Sequence, residues 1–121
     1  MLGKTNFYTL NKVTKNDDSI CYVITINKNH SIFKGHFPGN PVTPGVAQMD
    51  IVKELVALTV EKEVKMQSMP SCKFLVILNP NENADVTVEL KFMETEDGTN
   101  KVSAVIRDEA NNFLKMIGIY K

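Results

Sequence analysis

Residues 32–60 read IFKGHFPGNPVTPGVAQMDIVKELVALTV, and the two halves of this stretch obey different rules. From His30 to Val46 the chain holds three of its five prolines (Pro38, Pro41, Pro44) and three of its six glycines (Gly35, Gly39, Gly45). Proline fixes φ and lacks an amide hydrogen, so such a segment forms neither a regular strand nor a regular helix. Ile32, Phe33, Phe37 and Val42 thread it with apolar side chains. That predicts a stiff, packed loop, which is a common setting for function. Beyond it, Val46, Met49, Val52, Leu55, Val56, Thr59 and Val60 recur at helical spacing, with Ile51 and Leu58 apolar on other sides. Thr43 suits the N-cap and Pro44 the first helical position. The pattern predicts a helix of about 18 residues, apolar on most of its circumference and therefore buried. It should surface at its far end, where Lys53, Glu54, Glu61 and Lys62 gather.

Outward from this helix the chain reads as strands. Residues 6–13 and 19–27 form two, the second alternating Ile20, Tyr22, Ile24 and Ile26 with Cys21, Val23 and Thr25. Asn16-Asp17-Asp18 is a turn between them. After Met66–Pro70 the chain returns to strand patterns, with strands expected at Lys73–Leu78, Ala84–Phe92, Lys101–Arg107 and Phe113–Tyr120. Asp97-Gly98 is a hairpin turn and Asn111-Asn112 a second turn. The expected architecture is α+β, with an antiparallel sheet of five or six strands wrapped round one long central helix. One domain covers residues 1–121, a length that suits one core.

Composition narrows the function classes. The chain has 43% hydrophobic residues and balanced charge, with 14 Lys plus Arg against 14 Asp plus Glu. Such a chain has no global field to hold nucleic acid or an anionic membrane. No apolar run approaches the roughly 18 residues that span a bilayer, and the start lacks a signal-peptide core, so a cytoplasmic protein is expected. Cys21 and Cys72 are expected as free thiols, and two histidines with two distant cysteines make no metal site. His30, beside Asn29 at a strand end, is expected to be an exposed loop residue.

The Pro/Gly segment carries the chemistry. The run Phe33-x-Gly35-His36-Phe37-Pro38-Gly39-x-Pro41-Val42-x-Pro44-Gly45, with Asp50 fourteen positions after His36, resembles the signature of the β-hydroxyacyl-acyl-carrier-protein dehydratases. The resemblance implies a hot-dog fold and a homodimer, or a higher assembly, with active sites at the subunit interface. It implies that His36 comes from one chain and Asp50 from the other chain's central helix. The implied substrate is a (3R)-hydroxyacyl group on acyl carrier protein and the product its trans-2-enoyl thioester, in fatty acid or related acyl and polyene synthesis, with no cofactor.

The residue chemistry agrees. Removing water from a β-hydroxy thioester needs a base for the α-proton, and the neutral imidazole of His36 is available near neutral pH. It also needs an acid for the departing hydroxyl. Asp50, between Met49 and Ile51 on an apolar helix, is expected to be buried and hence protonated or bound to the leaving water. Gly45, in the first helical turn, offers backbone N–H groups and close approach to the developing oxyanion. Phe37, Val46 and Glu54 complete the expected substrate-binding set.

Two departures from the family pattern stand out. Glu54 occupies the place where relatives usually carry a Gln that positions the acid. Asp50 and Glu54 share a helix face, and if both are buried they should share a proton. The chain also starts close to its first strand, so the relatives' chain-length preference does not carry over. An Asp in place of Glu as the acid is the choice of the branch that also isomerises the double bond. A docking patch for acidic acyl carrier protein could draw on Lys34, Lys73, Lys91 and Lys115. Two other readings compete: a hot-dog acyl thioesterase, which relies on a carboxylate and does not need the His-Phe-Pro-Gly run, and a catalytically inactive acyl-binding partner subunit.

Overall fold

The computed structural model describes residues 7–35, 42–82, 84–93, 95 and 97–121. In chain order it contains β1 (Tyr8–Lys15), β2 (Ile20–Ile26), a 3-10 turn (Ser31–Gly35), α1 (Gly45–Val60), β3 (Met66–Phe74), β4 (Asp85–Met93), β5 (Asn100–Arg107) and β6 (Asn112–Tyr120). The strands form one six-stranded sheet in the order β1-β2-β4-β5-β6-β3, antiparallel throughout. The sheet curves around α1, which is the hot-dog fold.

Alternation decides which face the sheet turns to the helix. Tyr22 stands opposite Val88, Val88 opposite Ile106 and Ile106 opposite Leu114, so one buried row crosses four strands. Ile51, Val52, Leu55 and Val56 of α1 fill the concavity and are almost wholly buried. Two polar ties join sheet to helix at the β1–β2 end. The Tyr22 hydroxyl donates to Thr59 Oγ1 at 2.8 Å, since the Thr59 hydrogen goes to the Leu55 carbonyl at 2.7 Å. The Tyr8 hydroxyl donates to Glu54 Oε1 at 2.8 Å.

Several local expectations are corrected. The strand expected at 73–78 begins earlier, at Met66, and ends at Phe74. Pro70 is tolerated inside it because β3 is an edge strand, paired among the described residues only with β6, and the register slips between Ser68 and Ser71. The N-cap is Pro44 and no side chain caps the helix; Thr43 is buried and its backbone N–H donates to the Leu78 carbonyl instead. His30 is half-buried rather than exposed. Its Nδ1 accepts the Ile32 N–H at 3.1 Å, and its ring meets Phe7 edge-on with centroids 5.2 Å apart. Cys21 and Cys72 are free thiols, as expected, and burial raises both. Among the described residues no helix is long and apolar enough to cross a membrane.

Candidate active site

Four of the six residues singled out from the sequence lie on α1: Gly45, Val46, Asp50 and Glu54. His36 and Phe37 lie outside the described residues. Val46, Asp50 and Glu54 are spaced by four and so run along one stripe of the helix. The stripe descends from solvent into the core: Val46 is 71% exposed, Asp50 is exposed, and Glu54 is only 9% exposed. The expectation that Asp50 is buried is therefore corrected for the single chain. Its apolar neighbours Met49 and Ile51 sit about 100° round the helix on either side, and the sheet covers Ile51 rather than Asp50. The joint burial of Asp50 and Glu54 fails on the same observation; the buried carboxyl is that of Glu54.

Glu54 is held from β1. Burial raises the Tyr8 phenol strongly, and its hydrogen bond to Glu54 and the charge of that carboxyl raise it further. Tyr8 thus keeps its proton, and its donation to Glu54, through the neutral and moderately alkaline range. Nothing in the sequence singled out Tyr8, because the contact spans 46 positions.

The helix N-terminus is shaped by Phe74. The first helical hydrogen bond runs from Gln48 N–H to the Pro44 carbonyl at 3.1 Å, which leaves the N–H groups of Gly45, Val46 and Ala47 outside the helical ladder. A Cβ on Gly45 would come within 2.7 Å of Phe74 Cζ, so only glycine admits the ring at this distance. A groove of about 410 Å³ opens here, with Gly45 and Gln48 on one side and Phe74, Leu75, Val76 and Ile77 on the other. All four of those apolar side chains are exposed. Gln48 Nε2 donates to the Thr43 carbonyl at 3.2 Å, while Gln48 Oε1 and Thr43 Oγ1 are buried without hydrogen-bond partners. A helix terminus with free N–H groups beside an apolar groove can receive a polarised carbonyl attached to an alkyl chain.

The model of the ApeI-like family, described as ApeI dehydratase, matches residues 12–112. The chain belongs to the ApeI-like dehydratase family. That match spans β2, α1 and the segment between them. The ApeI-like chain is also similar to a 3-hydroxyacyl-[acyl-carrier-protein] dehydratase FabZ of Lactiplantibacillus plantarum. The two are 28% identical over 100 residues, which is 77% of this chain and 68% of that protein. Solved structures share the fold. The dehydratase heterocomplex ApeI:P from Xenorhabdus doucetiae superposes with a TM-score of 0.71 at 17% identity, covering 93% of this chain and 97% of that one. A thioesterase of Pseudomonas aeruginosa gives a TM-score of 0.70 at 12% identity, covering 98% of this chain and 83% of that one. At such identities the two structures bear on fold alone, and it is the family match that separates dehydratase from thioesterase.

Proposed function

We propose that this ApeI-like chain removes water from (3R)-hydroxyacyl groups on acyl carrier protein, giving trans-2-enoyl thioesters for fatty acid or related polyene synthesis in the cytoplasm. The family match over residues 12–112, a span within which His36 and Asp50 fall, carries the reading. The neutral imidazole of His36 takes the α-proton. The charge that develops on the thioester oxygen is received by N–H groups at the start of α1, where Gly45 permits close approach. Asp50 gives its proton to the departing 3-hydroxyl, which leaves as water, and the electron pair of the former C–H bond becomes the new double bond.

A second copy of the chain completes the site. The exposed Val46 and Asp50 of α1, the outer edge of β3 and the exposed run Phe74–Ile77 are surfaces that such a partner would cover. Covering them would exclude water from Asp50 and bring it to the partner's Pro/Gly segment. Acidic carrier protein would dock on the outer face, where Lys73 and Lys115 stand directly opposite across β3 and β6. Like charges so placed weaken a sheet, which favours a function for them in binding. Lys91 is exposed on β4, and the Lys34 side chain lies outside the described residues.

The test is incubation of the purified protein with a panel of (3R)-hydroxyacyl carrier proteins, following enoyl absorbance and free thiol in parallel. Enoyl product without thiol supports the dehydratase. Thiol release without enoyl product would establish the thioesterase reading, and neither product from folded protein the binding-subunit reading.

A further inference from the structure

We infer that Gln48 is a specificity-determining residue of the groove at the start of α1: its amide oxygen accepts the hydrogen of the substrate's 3-hydroxyl and turns away a 3-oxo group. The inference rests on the dehydratase reading above. The groove is walled by Phe74, Leu75, Val76 and Ile77, yet Gln48 and Thr43 line it as well. Both are nearly inaccessible, and only Glu54 joins them as a buried polar side chain among the described residues. Each keeps a buried polar atom, Gln48 Oε1 and Thr43 Oγ1, that no described residue hydrogen-bonds. A buried acceptor left unpaired costs stability, and an apolar side chain of similar shape would avoid that cost. An acceptor of this kind at a ligand-sized groove suits a donor that arrives with the ligand.

The orientation of the amide is fixed from its other end. Gln48 Nε2 donates to the Thr43 carbonyl at 3.2 Å, and Thr43 is itself pinned by its backbone N–H, which donates to the Leu78 carbonyl at 2.8 Å. Turning the amide over would set Oε1 against the Thr43 carbonyl oxygen, so Oε1 stays an acceptor with no hydrogen to offer. The Thr43 hydroxyl can donate or accept and does not discriminate. Gln48 lies three residues beyond Gly45, on the same face of α1. A thioester oxygen received by the N–H groups at the helix start therefore leaves the third acyl carbon, two bonds from the carbonyl carbon, within a helical turn of Gln48. A 3-hydroxyl there has a hydrogen to give to Oε1. A saturated acyl group leaves Oε1 unpaired. A 3-oxo group also brings an unpaired oxygen of its own, with its lone pairs facing those of Oε1. The Phe74 ring, which lies against Gly45 and is half exposed, turns outward to admit the ligand.

The experiment measures the affinity of the purified protein for (3R)-hydroxyhexanoyl, 3-oxohexanoyl and hexanoyl groups, each held on acyl carrier protein through an amide in place of the thioester. The amide makes the α-proton less acidic, so the ligands stay unconverted. Wild type should bind the hydroxyl form about tenfold tighter than the hexanoyl form, the worth of one net hydrogen bond, and the 3-oxo form weakest of all. Gln48→Met keeps the length of the side chain with at most a weak acceptor. It should bind the hexanoyl form as wild type does and bring the three affinities together. Equal loss for all three ligands in Gln48→Met, with the wild-type ratios kept, marks a residue that only supports the fold and overturns the inference. The wild-type ratios decide even where that variant does not fold: three equal affinities, or no measurable binding, overturn it as well. Enoyl formation from the matching thioester is followed in parallel. A wild type that prefers the hydroxyl form yet makes no enoyl product supports the Gln48 assignment and overturns the dehydratase reading alone.

Discussion

Gly45→Ala separates chemistry from packing at the helix start. The added methyl would lie 2.7 Å from Phe74 Cζ and 3.1 Å from Cε1 and Cε2, well inside contact distance. If Phe74 were locked in a core, overpacking would cost about 1–3 kcal/mol. Phe74 is 51% exposed, however, so its ring can swing outward. Replacing Gly by Ala in a helix returns at most about 1 kcal/mol. The net loss should stay below about 2 kcal/mol, a melting shift of no more than roughly 8 °C for a chain of this size. Activity should respond far more, because the methyl denies the thioester carbonyl its approach to the α1 N–H groups. Loss of one such donor interaction costs about 100-fold in rate. The decisive assay compares kcat/KM for Gly45→Ala in the wild-type and Phe74→Ala backgrounds, with melting curves for each. The oxyanion account predicts about 100-fold loss in both backgrounds. If the loss disappears once Phe74 is truncated, Gly45 serves only to admit that ring, and the reasoning is refuted.

Two further predictions concern stability. The Tyr120 hydroxyl is buried without a hydrogen-bond partner, and burial, with a smaller contribution from Cys72, pushes the phenol up to about 12. The folded state therefore holds this proton more tightly than the unfolded chain, so the stabilisation is fully present below pH 10.0 and is lost as pH rises to about 12. Urea titrations of Tyr120→Phe should show near-wild-type stability at neutral pH and a shallower decline over that window; an unchanged slope would refute it. Glu61 ends α1 in the left-handed region at φ 58°, where a side chain is strained and glycine is not. Glu61→Gly should therefore stabilise the fold by about 1 kcal/mol in the same titrations, and a loss of stability would show that its side chain matters more than its backbone.

The sequence made the helix legible because it is written locally, in a 3.6-residue period, while residues 36–41 of the Pro/Gly segment lie outside the described residues. The strands of the sheet centre were legible for the same reason: Val86, Val88 and Leu90 alternate with Asp85, Thr87 and Glu89. The start of β3 was missed because Met66–Pro70 holds a proline, which a strand admits at a sheet edge, and edge position is not written in the local sequence. The exposure of Asp50 could not be read from Met49 and Ile51, since adjacent helical residues point in different directions. Which direction is covered depends on how the sheet curls. The contacts Tyr8–Glu54 and Phe74–Gly45 join distant parts of the chain, and no local pattern announces either. His36, the most informative residue of the motif, lies outside the described residues.

The most direct test of the account is dehydration of a (3R)-hydroxyacyl carrier protein by His36→Ala, by Asp50→Asn, and by the two variants refolded or co-expressed together. The account predicts that each variant alone is inactive, and that mixing restores turnover, because one site of every mixed dimer contains an intact His36 from one chain and an intact Asp50 from the other. Full activity in either single variant would contradict the acid–base assignment, and two inactive variants that remain inactive in verified mixed dimers would contradict a site built from two chains.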